Sequence, residues 1–458
     1  MTKKYDVVII GAGIGGLICA SYLTHHGKKV LIIEKNKKAG GCCTSFSRGE
    51  FRFDAGTHLI GEAGKYGYVS YIFRRLNINS VFQRVNSDSY FYDGIRQRIC
   101  LDSKQYVKEI EKLGSKNDRL SDFFRDAYEI TRKVNKDFKT GKQVTDDMTF
   151  NVFSDKYISK SNKHLRAALS GYYGLLGEKP KDLSAVSYFN MLFSYLNTGT
   201  FYPIGGAQGI AEAIMKNICD HGGNFILECM PEKIVLEKET IQGVQTPNNF
   251  YACNHIVANI NPHEIFSNLL KEYNSQNKHI IEKFKPSSSL FGLYIGCDLN
   301  SKDIIDKVGW HFSSMDMDNN TYIYVFSPSV YDTHCSPKAC SSLEVFTSDD
   351  RKDLSATVSR TDREQRLTSR LMSIIPKLER RIIVKEVCTA EAIEKYTGNI
   401  NGAAYGWAMI PNQVFGNRAY NLPKNMYMAG HWSNPGGGFL SVLISGISTA
   451  KKILGEVS

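Results

Sequence analysis

The chain has 458 residues, of which 42% are hydrophobic and 22% charged, and it carries a formal charge of +11 at pH 7. That balance excludes a disordered or fibrous chain, and the length calls for two closely associated domains around a sizeable buried interior. Lysine and arginine are scattered rather than gathered into one basic run, which argues against a nucleic-acid partner and leaves an anionic membrane surface as the better match for the charge.

The N-terminal "MTKKYDVVII" is basic and then apolar, but the apolar run enters a glycine turn without a cleavage site, so it reads as a first strand rather than a secretory signal. Residues 5–10 have the β-branched character of a strand buried on both faces. Gly11, Gly13 and Gly16 follow at once, with Ile14 and Gly15 between them. A helix is predicted over 17–26 with Gly27 as its stop, then a second strand over 29–33 that ends on Glu34 and Lys35.

This order of strand, turn, helix, strand and acid is that of a dinucleotide site. Gly11 permits the tight turn, Gly13 lets the backbone approach a pyrophosphate, and Gly16 lets the helix lie close to the strand. Free amides at the helix start suit phosphates. Glu34 accepts the hydroxyls of an adenosine ribose, and its charge disfavours a 2′-phosphate. The chain then runs into a glycine-rich loop with Gly40, Gly41 and Cys42 instead of another crossover helix, which favours FAD over NAD.

Further along, residues 77–200 have helical patterning and close on "SAVSYFNMLFSYLNTGTFY". Its Tyr188, Phe189, Met191, Leu192, Phe193, Tyr195 and Leu196 leave almost no polar face, as in a core helix or the wall of an apolar tunnel. "SSSLFGLYIGCDL" and "TYIYVFSPSVYD" read as strands of a second sheet, and the Lys, Asp and Ser stretch 336–353 as a solvated loop. No apolar run approaches the roughly 20 residues that span a bilayer, so membrane contact is expected to be peripheral. The eleven cysteines form no C-x-x-C pairs, which fits a reduced, cytoplasmic chain, and no His or Cys spacing suggests a metal site.

Four stretches carry a resemblance: the opening "GAGIGG", "GGCCTSFSRGEFRFDAG" from Gly40, "FYPIGGAQGIAEAI" from Phe201, and "NMYMAGHWSNPGGGFLSVLISGISTAKKIL" from Asn425. Together they resemble the phytoene desaturase, carotenoid isomerase and retinol saturase branch of the amine oxidase flavoprotein superfamily. The resemblance implies an α/β fold, with a Rossmann-like FAD-binding domain of glutathione-reductase type and a discontinuous α+β substrate domain. The first would take 1–76, 201–265 and 395–458, the second 77–200 and 266–394.

It further implies that Gly40, Gly41, Cys42, Pro231, Gly430, His431, Gly437, Gly438 and Phe439 surround the cofactor, with Tyr405 and Trp407 on the substrate side. His58 would lie near the flavin, as a satisfied structural histidine or as a general base. No cysteine follows Cys388, so the FAD is expected to be held noncovalently. Cys42 stands where many members have arginine, which shifts weight toward the isomerase and saturase relatives; His431 stands where many have an acid, which leaves its contact with the ribityl chain or pyrophosphate open. The implied reaction is desaturation, saturation or redox-neutral isomerisation of C–C bonds in a lipophilic isoprenoid or polyene. An oxidase of an amine or another natural-product intermediate is the alternative, and a flavin-binding scaffold without turnover is a third reading; the electron partner stays open.

Overall fold

The strand Lys4–Ile10 is buried along most of its length because it lies inside a parallel sheet, flanked by Val30–Ile33 on one side and Phe250–Ala258 on the other. The computed structural model describes residues 4–93, 95–100, 102–140, 147–312, 322–349, 359–414 and 420–456. Among these, the first sheet runs in the order Asn224–Ile226, Val30–Ile33, Lys4–Ile10, Phe250–Ala258, Thr240–Gln245, Lys233–Glu237, with Met426–Met428 also on Phe250–Ala258. Its core pairs are parallel and the last two are an antiparallel meander. A nine-residue strand therefore serves both halves. Its start joins the meander, and its end continues the parallel core.

The crossover helix Ile14–His25 begins three residues earlier than the sequence suggests, directly on the glycine turn. It is buried almost all round, because the final helix Phe439–Leu454 and the helix Gly206–Asp220 pack on it. A side chain at Gly446 would meet the carbonyl oxygen of Gly15 at 2.4 Å, so only glycine lets the first and last helices approach this closely.

The second sheet has the order Ile382–Cys388, Ser289–Cys297, Ser341–Asp349, Ile323–Phe326, Gly309–Phe312, Ser87–Tyr92, Ile95–Cys100. This overturns the expected solvated loop at 336–353. Residues 341–349 are a strand near the middle of the sheet, mostly buried, and only the residues before it turn; 350–353 lie outside the described residues. The polar residues that suggested solvent are satisfied internally. Ser341 donates to the carbonyl of Leu299, and Ser342 to that of Cys335.

Helix Ala185–Asn197 is a core helix. Tyr188, Phe189, Leu192 and Leu196 are buried, and Met191 and Phe193 pack partly buried against the same cluster.

Candidate functional site

A cavity of about 830 Å³ opens where the C-terminal ends of the parallel strands meet the second sheet, the position that open α/β sheets use for ligands. The helices Ile14–His25 and Phe439–Leu454 begin on it. The residues preceding them are Gly13 and Gly438, and among the described residues neither helix start has a side-chain cap. Their first amides are thus left for a ligand, and the partial positive charge of both helix starts favours an anion there.

The glycines are explained by close approach. A side chain on Gly11 would strike the carbonyl oxygen of Asn259 at 2.7 Å, one on Gly15 the backbone nitrogen of Gly430 at 2.7 Å, and one on Gly16 the carbonyl oxygen of Gly11 at 2.6 Å. Gly11, Gly13, Ile14 and Gly15 line the cavity, whereas Gly16, in the first turn of the helix, stands off it against Gly11 and Asn259. Gly40 donates its N–H to the carbonyl of Ala12 at 2.8 Å, which draws the Gly40, Gly41 and Cys42 loop onto the turn.

Asn259 is the residue that sequence reasoning missed. Its Nδ2 donates to the carbonyl of Gly11 at 3.1 Å, and its side chain wedges between the turn and Gly430. A polar residue just past the end of the apolar run 256–258 was the available signal.

Glu34 is buried at the end of its strand, where its two oxygens accept the N–H groups of Ala12 and Asn36, both at 2.8 Å. These bonds fix the carboxylate at the cavity wall, and each oxygen retains a lone pair for a further donor. Lys35 and Pro231 line the same region, with the Lys35 Nζ donating to the carbonyl of Lys395 at 3.3 Å.

Gly430, His431, Gly438 and Phe439 also line the cavity. Burial pushes the His431 imidazole down to about 4, so the ring is neutral at pH 7 and its Nε2 faces Asn399 Oδ1 at 3.2 Å. Gly437 stands outside the wall and packs on the backbone of Tyr405, where a side chain would meet the carbonyl oxygen at 2.4 Å. Burial raises the Cys42 thiol to about 11 and pushes Cys43 up as well, so both are protonated and neither acts as a thiolate.

The structure separates the two residues expected on the substrate side, and sets apart the histidine expected near the flavin. Tyr405 lines the cavity, with its hydroxyl donating to the carbonyl of Gly174 at 3.1 Å. Trp407 does not: it is fully buried against Trp432 and Phe284, and its indole N–H donates to Tyr420 at 2.8 Å. His58 also stands off the cavity, behind the lining residues Ala55, Gly56 and Thr57, with its Nε2 2.5 Å from Glu344. Among the described residues no group of His, Cys, Asp and Glu could hold a metal ion.

Known proteins place this architecture. Residues 9–76 match the family described as an NAD(P)-binding Rossmann-like domain. Over its whole length the chain is 23% identical to a chloroplastic prolycopene isomerase of Daucus carota, covering 81% of that protein. It is also 25% identical to a 4,4'-diapolycopene oxygenase of Methylomonas, over 98% of each chain. The chain fits the carotenoid desaturase and isomerase branch. A solved putrescine oxidase superposes over all of both chains with a TM-score of 0.72 at 15% identity, which shows that the α/β fold is shared with amine oxidases.

Proposed function

We propose that the cavity holds FAD noncovalently and that the protein is a flavin-dependent oxidoreductase or redox-neutral isomerase of C–C bonds in a lipophilic isoprenoid or polyene. The observation that carries the reading is the meeting of two uncapped helix starts and the buried Glu34 in one cavity. In this reading Glu34 takes the adenosine ribose hydroxyls, the start of Ile14–His25 takes the pyrophosphate, and Gly438 with Phe439 bring the last helix onto the cofactor. Bound flavin supplies the capacity to accept and return an electron pair at carbon. The protein positions the substrate carbon and excludes water.

The FAD-binding part is assigned to 1–76, 201–265 and 395–458, and the substrate part to 77–200 and 266–394. The substrate part contributes Leu290 and Tyr294 to the wall, while Tyr405 comes from the returning chain. A hydrocarbon has no group to hydrogen-bond, so apolar surface and shape select it. The amine alternative asks for an aromatic cage built from both Tyr405 and Trp407, and the burial of Trp407 away from the cavity counts against it.

Such a substrate resides in lipid. Among the described residues no helix is long and apolar enough to cross a membrane, and the reading assigns lipid contact to the surface around helix Tyr68–Arg75. There Tyr66 is 85% exposed and Tyr71 46%, beside Lys65 and the exposed Arg74 and Arg75. Aromatic rings interleaved with cations suit an anionic interface.

Two results test the proposal. Glu34→Ala is expected to weaken FAD binding by about ten- to a hundredfold, since the ribose acceptor is lost and the Ala12 and Asn36 amides lose theirs; equilibrium titration of the apoprotein measures it. In the second, the anaerobic flavin spectrum is followed as a hydrogenated polyene precursor in liposomes or a soluble amine is added. Bleaching by the lipid alone supports desaturation. Bleaching by the amine alone overturns the polyene reading.

A further inference from the structure

Between the two sheets lies a buried polar cluster that the proposed function does not use. Asp54 ends the strand Phe51–Asp54, and its carboxylate accepts from Ser45 Oγ at 2.5 Å, Tyr202 OH at 2.8 Å and the Ala207 N–H at 2.8 Å. Behind it stands Glu344, wholly buried on the strand Ser341–Asp349. One Glu344 oxygen accepts the Asp54 N–H at 2.5 Å, and the other lies 2.5 Å from His58 Nε2. His58 in turn hydrogen-bonds the backbone of Asp54. Asp54 and His58 therefore bracket the cavity-lining residues 55–57, and Glu344 holds both ends.

A carboxyl oxygen and an imidazole nitrogen at 2.5 Å must have a proton between them, because two bare lone pairs would repel. Among the described residues neither Glu344 Oε2 nor His58 Nε2 makes any hydrogen bond as the ring stands, so the 2.5 Å contact between them is what each buried atom has to satisfy it. The surroundings decide which atom owns the proton. The His58 ring is packed among Tyr324, Phe326 and Phe346, which offer no stabilisation comparable to water for an imidazolium. The charged groups nearby are Asp54 and Arg52, and Arg52 is engaged by Asp332 and Cys335. Burial lowers His58 to about 4. Burial and then the Asp54 charge raise Glu344 well above the usual carboxylate range.

We propose that Glu344 is a positioning residue for the cofactor loop: as a neutral carboxylic acid it donates to His58 Nε2 while accepting the Asp54 N–H, and so clamps residues 54–58 against the cavity. The clamp deepens the FAD reading and rests on it only for what the loop then touches.

Glutamine reproduces the neutral acid, with an N–H toward His58 and an oxygen toward Asp54; alanine reproduces neither. E344Q is therefore expected to bind FAD within about threefold of the wild type, and E344A to bind it about tenfold or more weakly. E344Q failing like E344A would overturn the neutral acid, since the carboxamide supplies the same donor and acceptor; the charge state of the ring is read separately. FAD binding unchanged in E344A overturns the positioning role. Two readouts do not depend on the cofactor. Nitrogen-15 NMR of His58 in the wild-type protein at pH 6 is expected to show a neutral ring, and an imidazolium there refutes the proposal. Thermal unfolding of the apoproteins should rank E344Q near wild type and E344A well below it, even if the wild type proves not to bind FAD.

Discussion

Gly15→Ala is expected to strip the protein of flavin while leaving the chain folded. A methyl at this position would lie 2.7 Å from the nitrogen of Gly430, 2.8 Å from its Cα and 2.9 Å from Asn259 Oδ1. Two of these are backbone atoms of the turn that begins the C-terminal signature, and the third belongs to a side chain already tied to Gly11. Nothing at the contact is the free end of a flexible side chain, so the seam between the first helix and Gly430 has to open. Overpacking of this kind costs about 1–3 kcal/mol, and the displacement falls on the helix start offered to the phosphates. FAD affinity should fall by about ten- to a hundredfold, read by titration of the apoprotein. Gly209→Ala is the control: it lies inside a helix with ordinary space, its nearest atom being the Ile204 carbonyl oxygen at 3.4 Å. Wild-type affinity in the Gly15 variant would show that the first helix and Gly430 do not jointly form the site.

Asp54→Ala is expected to be among the most destabilising single substitutions, and to act on the apoprotein. Asp54 is 1% exposed and serves three donors, one from its hairpin partner Ser45 and two from around position 205, so alanine leaves two hydroxyls and one helix-start amide buried without an acceptor. Each orphaned group costs about 1–3 kcal/mol, and a loss of about 3–5 kcal/mol in urea unfolding is the expected total, the range for breaking a buried charged network. Gly206 belongs to the same arrangement, since a side chain there would meet Asp54 Oδ1 at 2.6 Å. A loss below about 1 kcal/mol would mean that the network relaxes around the gap or admits water.

These two sites differ in how far the sequence exposes them. At the Gly15 site the local part is legible: the buried strand, the glycine turn, the uncapped helix and Glu34 follow one another within 34 residues, each with a one-dimensional signature, whereas the contacts with Asn259 and Gly430 arise only in the fold. The network at Asp54 draws on positions 45, 202, 207 and 344, which only the assembled sheets bring together. Glu344 was hidden twice over. Its strand carries serines and an acid that are satisfied by partners invisible to periodicity, so it reads as a solvated loop. Trp407 failed for a nearer reason. Gly406 between it and Tyr405 has a φ of 76°, so the chain turns and the two aromatic rings part, one to the cavity and one to the core. A glycine between two aromatics carries that warning.

Action on the double bonds of a lipophilic polyene is open to direct assay. It is tested most directly by supplying FAD-loaded protein, without oxygen and with the flavin oxidised in one series and reduced in another, with geometric isomers of a polyene and their partly hydrogenated precursors in liposomes. Products are resolved by chromatography and mass. At least one series is expected to yield a polyene altered in double-bond geometry, or by gain or loss of a pair of hydrogens. Unchanged polyenes in both series, with an amine oxidised by the same preparation, would contradict it.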